Sequence, residues 1–127
     1  MYQIDLMSRE PVYEQIINQT EKFILTGVLA PGERMPSVRN LSVEISVNPN
    51  TIQKAFGELD RRGIIFSVPG KGSFVSEKAR EALEAAQRNN IPELRKEIAE
   101  LKLAGISKTE VIKVVNEVYD DGEDEKK

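Results

Sequence analysis

Apolar positions recur at helical intervals almost from the start of the chain. After a short lead holding Tyr2, Ile4 and Leu6, the residues Val12, Ile16, Ile17, Phe23 and Ile24 predict a helix over about Pro11 to Thr26. Pro11 suits its first position, where a missing N–H is no loss, and Gly27 is placed to end it. In the connector LAPGERMPS, Pro31-Gly32 marks a turn and Pro36 limits Met35 to an extended backbone. Val38, Leu41 and Ile45 predict a second, short helix from Ser37 to Ile45. A few residues later NPNTIQKAFGELDRRG opens a third helix, closed by Gly63. The period then changes. Ile64, Ile65 and Phe66 have strand character, Val68-Pro69-Gly70-Lys71-Gly72-Ser73 is a Gly-rich turn, and Phe74-Val75 is the returning strand of a hairpin.

From Glu77 to Asn90 the good helix formers Ala, Glu and Arg dominate. Ile91, Leu94, Ile98 and Leu101 predict another amphipathic helix ending near Gly105. Ser107-Lys108-Thr109-Glu110 fits a capping box, and Val111, Val114, Val115 and Val118 form a last apolar stripe. The run DDGEDEKK, Asp120 to Lys127, reads as a disordered charged tail. The expected class is mainly α with a small β-hairpin, and the expected division is 1–76, 77–119 and 120–127.

At about 100° per residue, Ile52, Ala55, Phe56 and Leu59 cluster on one side of the third helix. The opposite side carries Asn50, Lys54, Gly57 and Arg61, with Gln53 on its flank. A core face backed by a solvated face is the ordinary reading of such a helix. Here the preceding helix is short and the intervening turn tight, which is helix-turn-helix spacing. Asn and Gln match the major-groove edge of adenine, while Arg and Lys suit guanine or phosphate. Gly57 destabilises a helix by about 1 kcal/mol relative to Ala, a cost explained either by close approach to another surface or by packing on a neighbouring element. Arg39 is placed to touch a DNA backbone or an adjacent base. Ser37 serves as helix N-cap, and an N-terminus with free N–H groups also suits a phosphate. The turn PGKGS is an ordinary hairpin turn or, after a helix-turn-helix, a wing whose Lys71 meets phosphate or a minor groove.

Composition narrows the choice. The 127 residues include no cysteine and no histidine. That removes disulfides, thiolate nucleophiles, Cys/His zinc sites and the commonest general base. No nucleophile–base pair or carboxylate constellation emerges, so no enzyme, metal or cofactor is expected. No apolar run approaches a membrane span, and the N-terminus lacks a basic region followed by an apolar stretch, so a cytoplasmic protein is expected. The net charge of −3 argues against nucleic acid until its distribution is read. Residues 1–76 balance eight basic against eight acidic residues, and the remainder carries ten against thirteen. Within 34–76, six cations (Arg34, Arg39, Lys54, Arg61, Arg62, Lys71) stand against three acids (Glu44, Glu58, Asp60). Local charge sets a binding face.

The segments PVYEQI, PGERMPSVRNLS, VNPNTIQKAF, ELDRRGII and PGKGSFV occur in an order and at a spacing that closely resemble the winged-helix domain of GntR-type transcriptional regulators. The match covers about residues 10 to 76. The short helical region after it looks like the YtrA-type branch, whose members are usually homodimeric repressors, often of transporter operons. The resemblance implies a winged helix-turn-helix DNA-binding domain followed by a short all-α region, with double-stranded operator DNA and a second copy of the chain as partners. It implies DNA contacts at Ser37 and Arg39, at Asn48, Asn50, Thr51, Gln53 and Lys54 from the start of the recognition helix, and at Gly70, Lys71 and Gly72 in the wing. Many members place arginines where this chain has Pro49 and Gln53, so operators of Arg-bearing relatives do not carry over.

Larger members hold an effector domain with a deep pocket, whereas 77–127 has too few residues to enclose a sizeable ligand and names no effector. Ile91, Leu94, Ile98, Leu101, Val111, Val114, Val115 and Val118 are the expected dimerisation residues. The other reading of the Ile91–Leu101 stripe is packing on the chain's own first domain. A protein-interaction module without sequence-specific DNA binding is the alternative function.

Overall fold

A computed structural model describes the backbone of residues 1–126 and the side chains of residues 1–121. Helices α1 (Val12–Leu25), α2 (Val38–Ile45) and α3 (Pro49–Arg61) precede strands β1 (Ile65–Val68) and β2 (Gly72–Val75), and α4 (Ala79–Arg88), α5 (Ile91–Leu103) and α6 (Lys108–Lys126) follow. The class is mainly α with one antiparallel hairpin, as the periodicities predict. The chain divides into two compact units, Met1–Ala86 and Gln87–Lys127.

In the first unit, Ile16, Ile17 and Ile24 of α1 meet Leu41 of α2 and Ile52, Ala55, Phe56 and Leu59 of α3 in one apolar core. Each large aliphatic side chain so buried contributes about 1.5–3 kcal/mol, which outweighs the Gly57 penalty within α3. Pro11 stands one position earlier than expected, as the N-cap of α1 with ψ 148°. The N-terminal lead is tied to α1: the Tyr2 hydroxyl lies 2.6 Å from Thr20 Oγ1, and Gln19 exchanges hydrogen bonds with the Gln3 backbone in both directions. In the hairpin, Ile65 pairs with Val75, Phe66 with Phe74, Ser67 with Ser73 and Val68 with Gly72. The connector after α1 lies along β2, since Met35 N–H donates to Ser73 O and Val75 N–H to Glu33 O, both at 2.8 Å.

This unit extends past the division expected at Ser76. Ala79 and Leu83 of α4 are buried in its core, and an Arg80 Nη donates to Leu25 O at 2.8 Å, satisfying a carbonyl at the end of α1. The Ala-rich stretch therefore completes the first core rather than opening the second region.

In the second unit α5 and α6 form a helical hairpin through Gly105, at φ 89°, with Ile106 N–H donating to Leu101 O. Ser107 Oγ accepts from Glu110 N–H at 3.1 Å, the N-cap half of the expected capping box. No residue of α5 is buried. The tail expected from Asp120 begins inside α6, which runs helical through Lys126, because extending a helix already formed avoids the cost of nucleating one; Lys127 lies outside the described residues. Among the described residues no helix is long and apolar enough to cross a membrane.

Candidate nucleic-acid interface

Three residues, Ser46 to Asn48, separate α2 from α3. Ser46 takes the left-handed conformation, φ 55°, and Ser42 Oγ donates to Val47 O at 2.6 Å, so the turn has a defined course. Ser37 Oγ accepts from Asn40 N–H at 3.0 Å and caps α2. Asn48 Oδ1 accepts from Asn50 N–H at 2.8 Å and caps α3, with Pro49 in the first turn. Both caps remove orphan donors that would let the helix ends fray.

Nine of the ten residues implicated in DNA contact are exposed, and Thr51 is half-buried. Arg39 lies in the first turn of α2 and Asn50, Thr51, Gln53 and Lys54 in the first half of α3. Gly70, at φ 78°, forms the wing turn, closed by Lys71 N–H donating to Val68 O at 2.9 Å. Gly57 is exposed, and a Cβ there would meet nothing within 4 Å. Packing on a neighbour therefore does not account for it.

The cations are sorted by position. Among the described residues Arg34, Arg39, Lys54 and Lys71 make no salt bridge, whereas Glu58 binds Arg61 at 2.6 Å and Arg62 at 2.8 Å, and Arg62 also reaches Glu21. Hydrogen bonds from Arg61, then Arg62, hold the Glu58 carboxyl at about 2, well below its ordinary value, and Glu58 pushes both guanidinium groups up. Arg61, expected on the polar reading face, is thus neutralised at the far end of α3. Of the six cations within 34–76, the four without a salt bridge lie beside or in the wing (Arg34, Lys71), in the first turn of α2 (Arg39) and in the first half of α3 (Lys54), where phosphates can be met without first breaking an ion pair.

Two residues outside the ten expected DNA contacts join this surface. Arg34 lies beside the wing, against Gly72. Its position next to buried Met35 in an extended segment was the available signal, since alternation turns it outward. Tyr13, in the first turn of α1, lies beneath Lys54; only long-range packing brings these two together. An open groove of about 570 Å³ runs between α1 and α3, with Tyr13, Asn18, Lys54, Gly57 and Arg61 among its walls. Among the described residues no group of His, Cys, Asp or Glu could hold a metal ion.

Residues 12–75 match the family of bacterial regulatory proteins named gntR. The chain belongs to that family. It is 39% identical to the HTH-type transcriptional repressor YtrA of Bacillus subtilis over 95% of its own length and 94% of that protein's. Its fold is similar to that of a GntR family transcriptional regulator from Listeria monocytogenes, with a TM-score of 0.73 at 34% identity, covering 90% of this chain and 98% of that one. It is also similar to the structure of AraR(DBD) in complex with an operator, with a TM-score of 0.53 at 30% identity over 58% of this chain and 92% of that one. This GntR chain is a DNA-binding transcriptional regulator with a winged helix-turn-helix.

Proposed function

We propose that the protein is a cytoplasmic, homodimeric repressor, without catalytic activity, that binds a pseudo-palindromic operator. The observation that carries the reading face is that Arg39, Lys54 and Lys71 are exposed and make no salt bridge among the described residues, while Asn50 and Gln53 are exposed on the first half of a helix capped by Asn48. In this reading the first half of α3 enters the major groove, with Asn48, Asn50, Thr51, Gln53 and Lys54 at its exposed end. Ser37 and Arg39 meet the backbone or an adjacent base, and Gly70, Lys71 and Gly72 carry the wing to a phosphate or the minor groove. Repression is supported by the likeness to the Bacillus subtilis repressor.

The second unit supports pairing of two copies. Leu94, Ile98 and Leu101 of α5 face Val111, Val114 and Val115 of α6 across an open apolar groove of about 330 Å³. Leu94 is 58% and Val114 55% exposed, and Ile91 and Val118 are exposed as well. Two such faces, related by a twofold axis, would bury what one hairpin leaves in water. Half-site centres are then expected about 34–36 Å apart or at a multiple of that spacing.

Selection of genomic fragments with the purified protein tests this. A single enriched pseudo-palindrome, bound by wild type and lost in Arg39→Ala, is the expected result. Fragments without a shared motif, or unchanged affinity in Arg39→Ala, would remove the reading face. A transporter gene beside the enriched site would place the regulated operon.

A further inference from the structure

Lys54 does not project freely from α3. Its Nζ lies 3.9 Å from the centroid of the Tyr13 ring, well inside the range at which an aromatic face holds a cation. Tyr13 is half-buried in the first turn of α1, so the ring is a fixed platform rather than a second mobile side chain. Its hydroxyl donates to Glu14 Oε1 at 3.4 Å, which leaves the face of the ring to the ammonium. Lys54 and Gly57 wall the same α1–α3 groove, and the absent side chain at Gly57 keeps that groove open beside the ammonium.

We infer that Tyr13 is a positioning residue for DNA binding, its ring holding Lys54 on the α1 side of the reading helix for a phosphate oxygen of the operator backbone rather than for a base edge. This rests on the reading face proposed above. In a helix-turn-helix the N-terminal residues of the recognition helix meet bases. Lys54 lies further along α3 and is held on the side that faces α1, away from that end. Its ammonium is a compact point charge with three donors, suited to phosphate and able to meet an anion on the side away from the ring. A free lysine loses much rotamer freedom when DNA fixes it, and a ring that has already fixed the side chain removes part of that loss. Asn50 and Gln53, which lie outside the α1–α3 groove, are left to contact bases.

The test is a double-mutant cycle on the full chain, using the operator fragment that wild type enriches. Each variant is first checked by thermal melting, with Tyr13→Met replacing Tyr13→Leu if the latter does not fold. Tyr13→Phe keeps the ring and should bind as wild type. Tyr13→Leu should weaken binding about two- to ten-fold, evenly across single-base operator variants. The salt dependence should stay unchanged in Tyr13→Leu, because the charge is still present. Lys54→Ala should lower the salt slope by about one, and Tyr13→Leu should then add no further loss. Affinity in Tyr13→Leu at or above wild type would overturn the inference. So would a Tyr13→Leu loss that persists undiminished in Lys54→Ala, or a Lys54→Ala loss confined to one base pair. Failure of wild type to enrich any operator, or of Arg39→Ala to weaken it, would instead strike the reading face itself and take the role of Tyr13 with it.

Discussion

The guanidinium of Arg34 lies across Gly72, its Nε 3.2 Å and one Nη 3.3 Å from where a Cβ on that glycine would stand. Gly72 itself has φ 111°, a backbone setting that a side chain resists. The backbone setting demands glycine at the base of the wing, and a Cβ there would in addition make the exposed Arg34 side chain shift slightly. Gly72→Ala should destabilise the protein by about 1–3 kcal/mol through backbone strain, and it should also displace Arg34. Urea unfolding separates the causes: in an Arg34→Ala background the alanine loses its clash but keeps the strain, so most of the destabilisation should remain. A neutral Gly72→Ala would show that the wing relaxes freely.

Asn48 has two proposed duties, and one substitution divides them. Its Oδ1 caps α3 by accepting from Asn50 N–H. Asn48→Asp retains an acceptor and suits the positive end of the helix dipole, so stability should hold or rise slightly. On the proposed reading face the same carboxylate would stand against the DNA and should weaken operator binding. Asn48→Ala should lose both, with a stability loss of about 1 kcal/mol. Operator titration beside thermal melting distinguishes them; wild-type affinity in Asn48→Asp would reduce Asn48 to a cap. Pro49→Ala, which relaxes the fixed φ of the first turn, should soften affinity while the domain stays folded.

The order of helices and hairpin was legible because each element carries its own period, and Ile52, Ala55, Phe56 and Leu59 are the buried face of α3 that the spacing predicts. The caps at Ser37 and Asn48 were legible because they act within three residues. Much of what escaped depends on contacts distant in sequence. The burial of Ala79 and Leu83 moves the first unit to Ala86, yet an Ala- and Glu-rich helix has no internal mark of which core it joins. The pairing of Glu58 with Arg61 and Arg62 lies within helical reach, and weighing it would have removed Arg61 from the reading face. Tyr13 under Lys54 could not have been found from spacing.

Glu58 also gives a pH prediction with a definite sign. Its carboxyl titrates near its ordinary value of 4.5 when unfolded and at about 2 when folded, through hydrogen bonds from Arg61 and Arg62. The folded state thus holds its proton less tightly. The associated stability is present above about pH 4.5 and is lost as pH falls towards about 2. Glu58→Gln should flatten stability against pH over that window. At neutral pH it should also release Arg61, with Arg62 still paired to Glu21, and raise affinity for random-sequence DNA, with a steeper salt dependence. An unchanged acid limb in a urea-unfolding series would mean that the exposed pair adds nothing, as many surface pairs do.

The apolar groove of the second unit yields the prediction on assembly. Ile98 lines it from α5 and Val115 from α6, and in a single copy they are 39% and 47% exposed. A carboxylate placed there would have to be desolvated in any pairing that covers the groove, a severe penalty without a partner charge. Each chain should stay folded, because no residue of α5 is buried and the first unit has a separate core. Ile98→Glu should therefore sediment as a monomer at concentrations where wild type is a dimer, with unchanged helical circular dichroism. Because a dimer binds its second half-site intramolecularly, loss of pairing should lower operator affinity about 10²-fold or more while leaving the weak affinity of one half-site intact. A dimeric Ile98→Glu, confirmed by a second charge at Val115, would place the interface elsewhere on the chain.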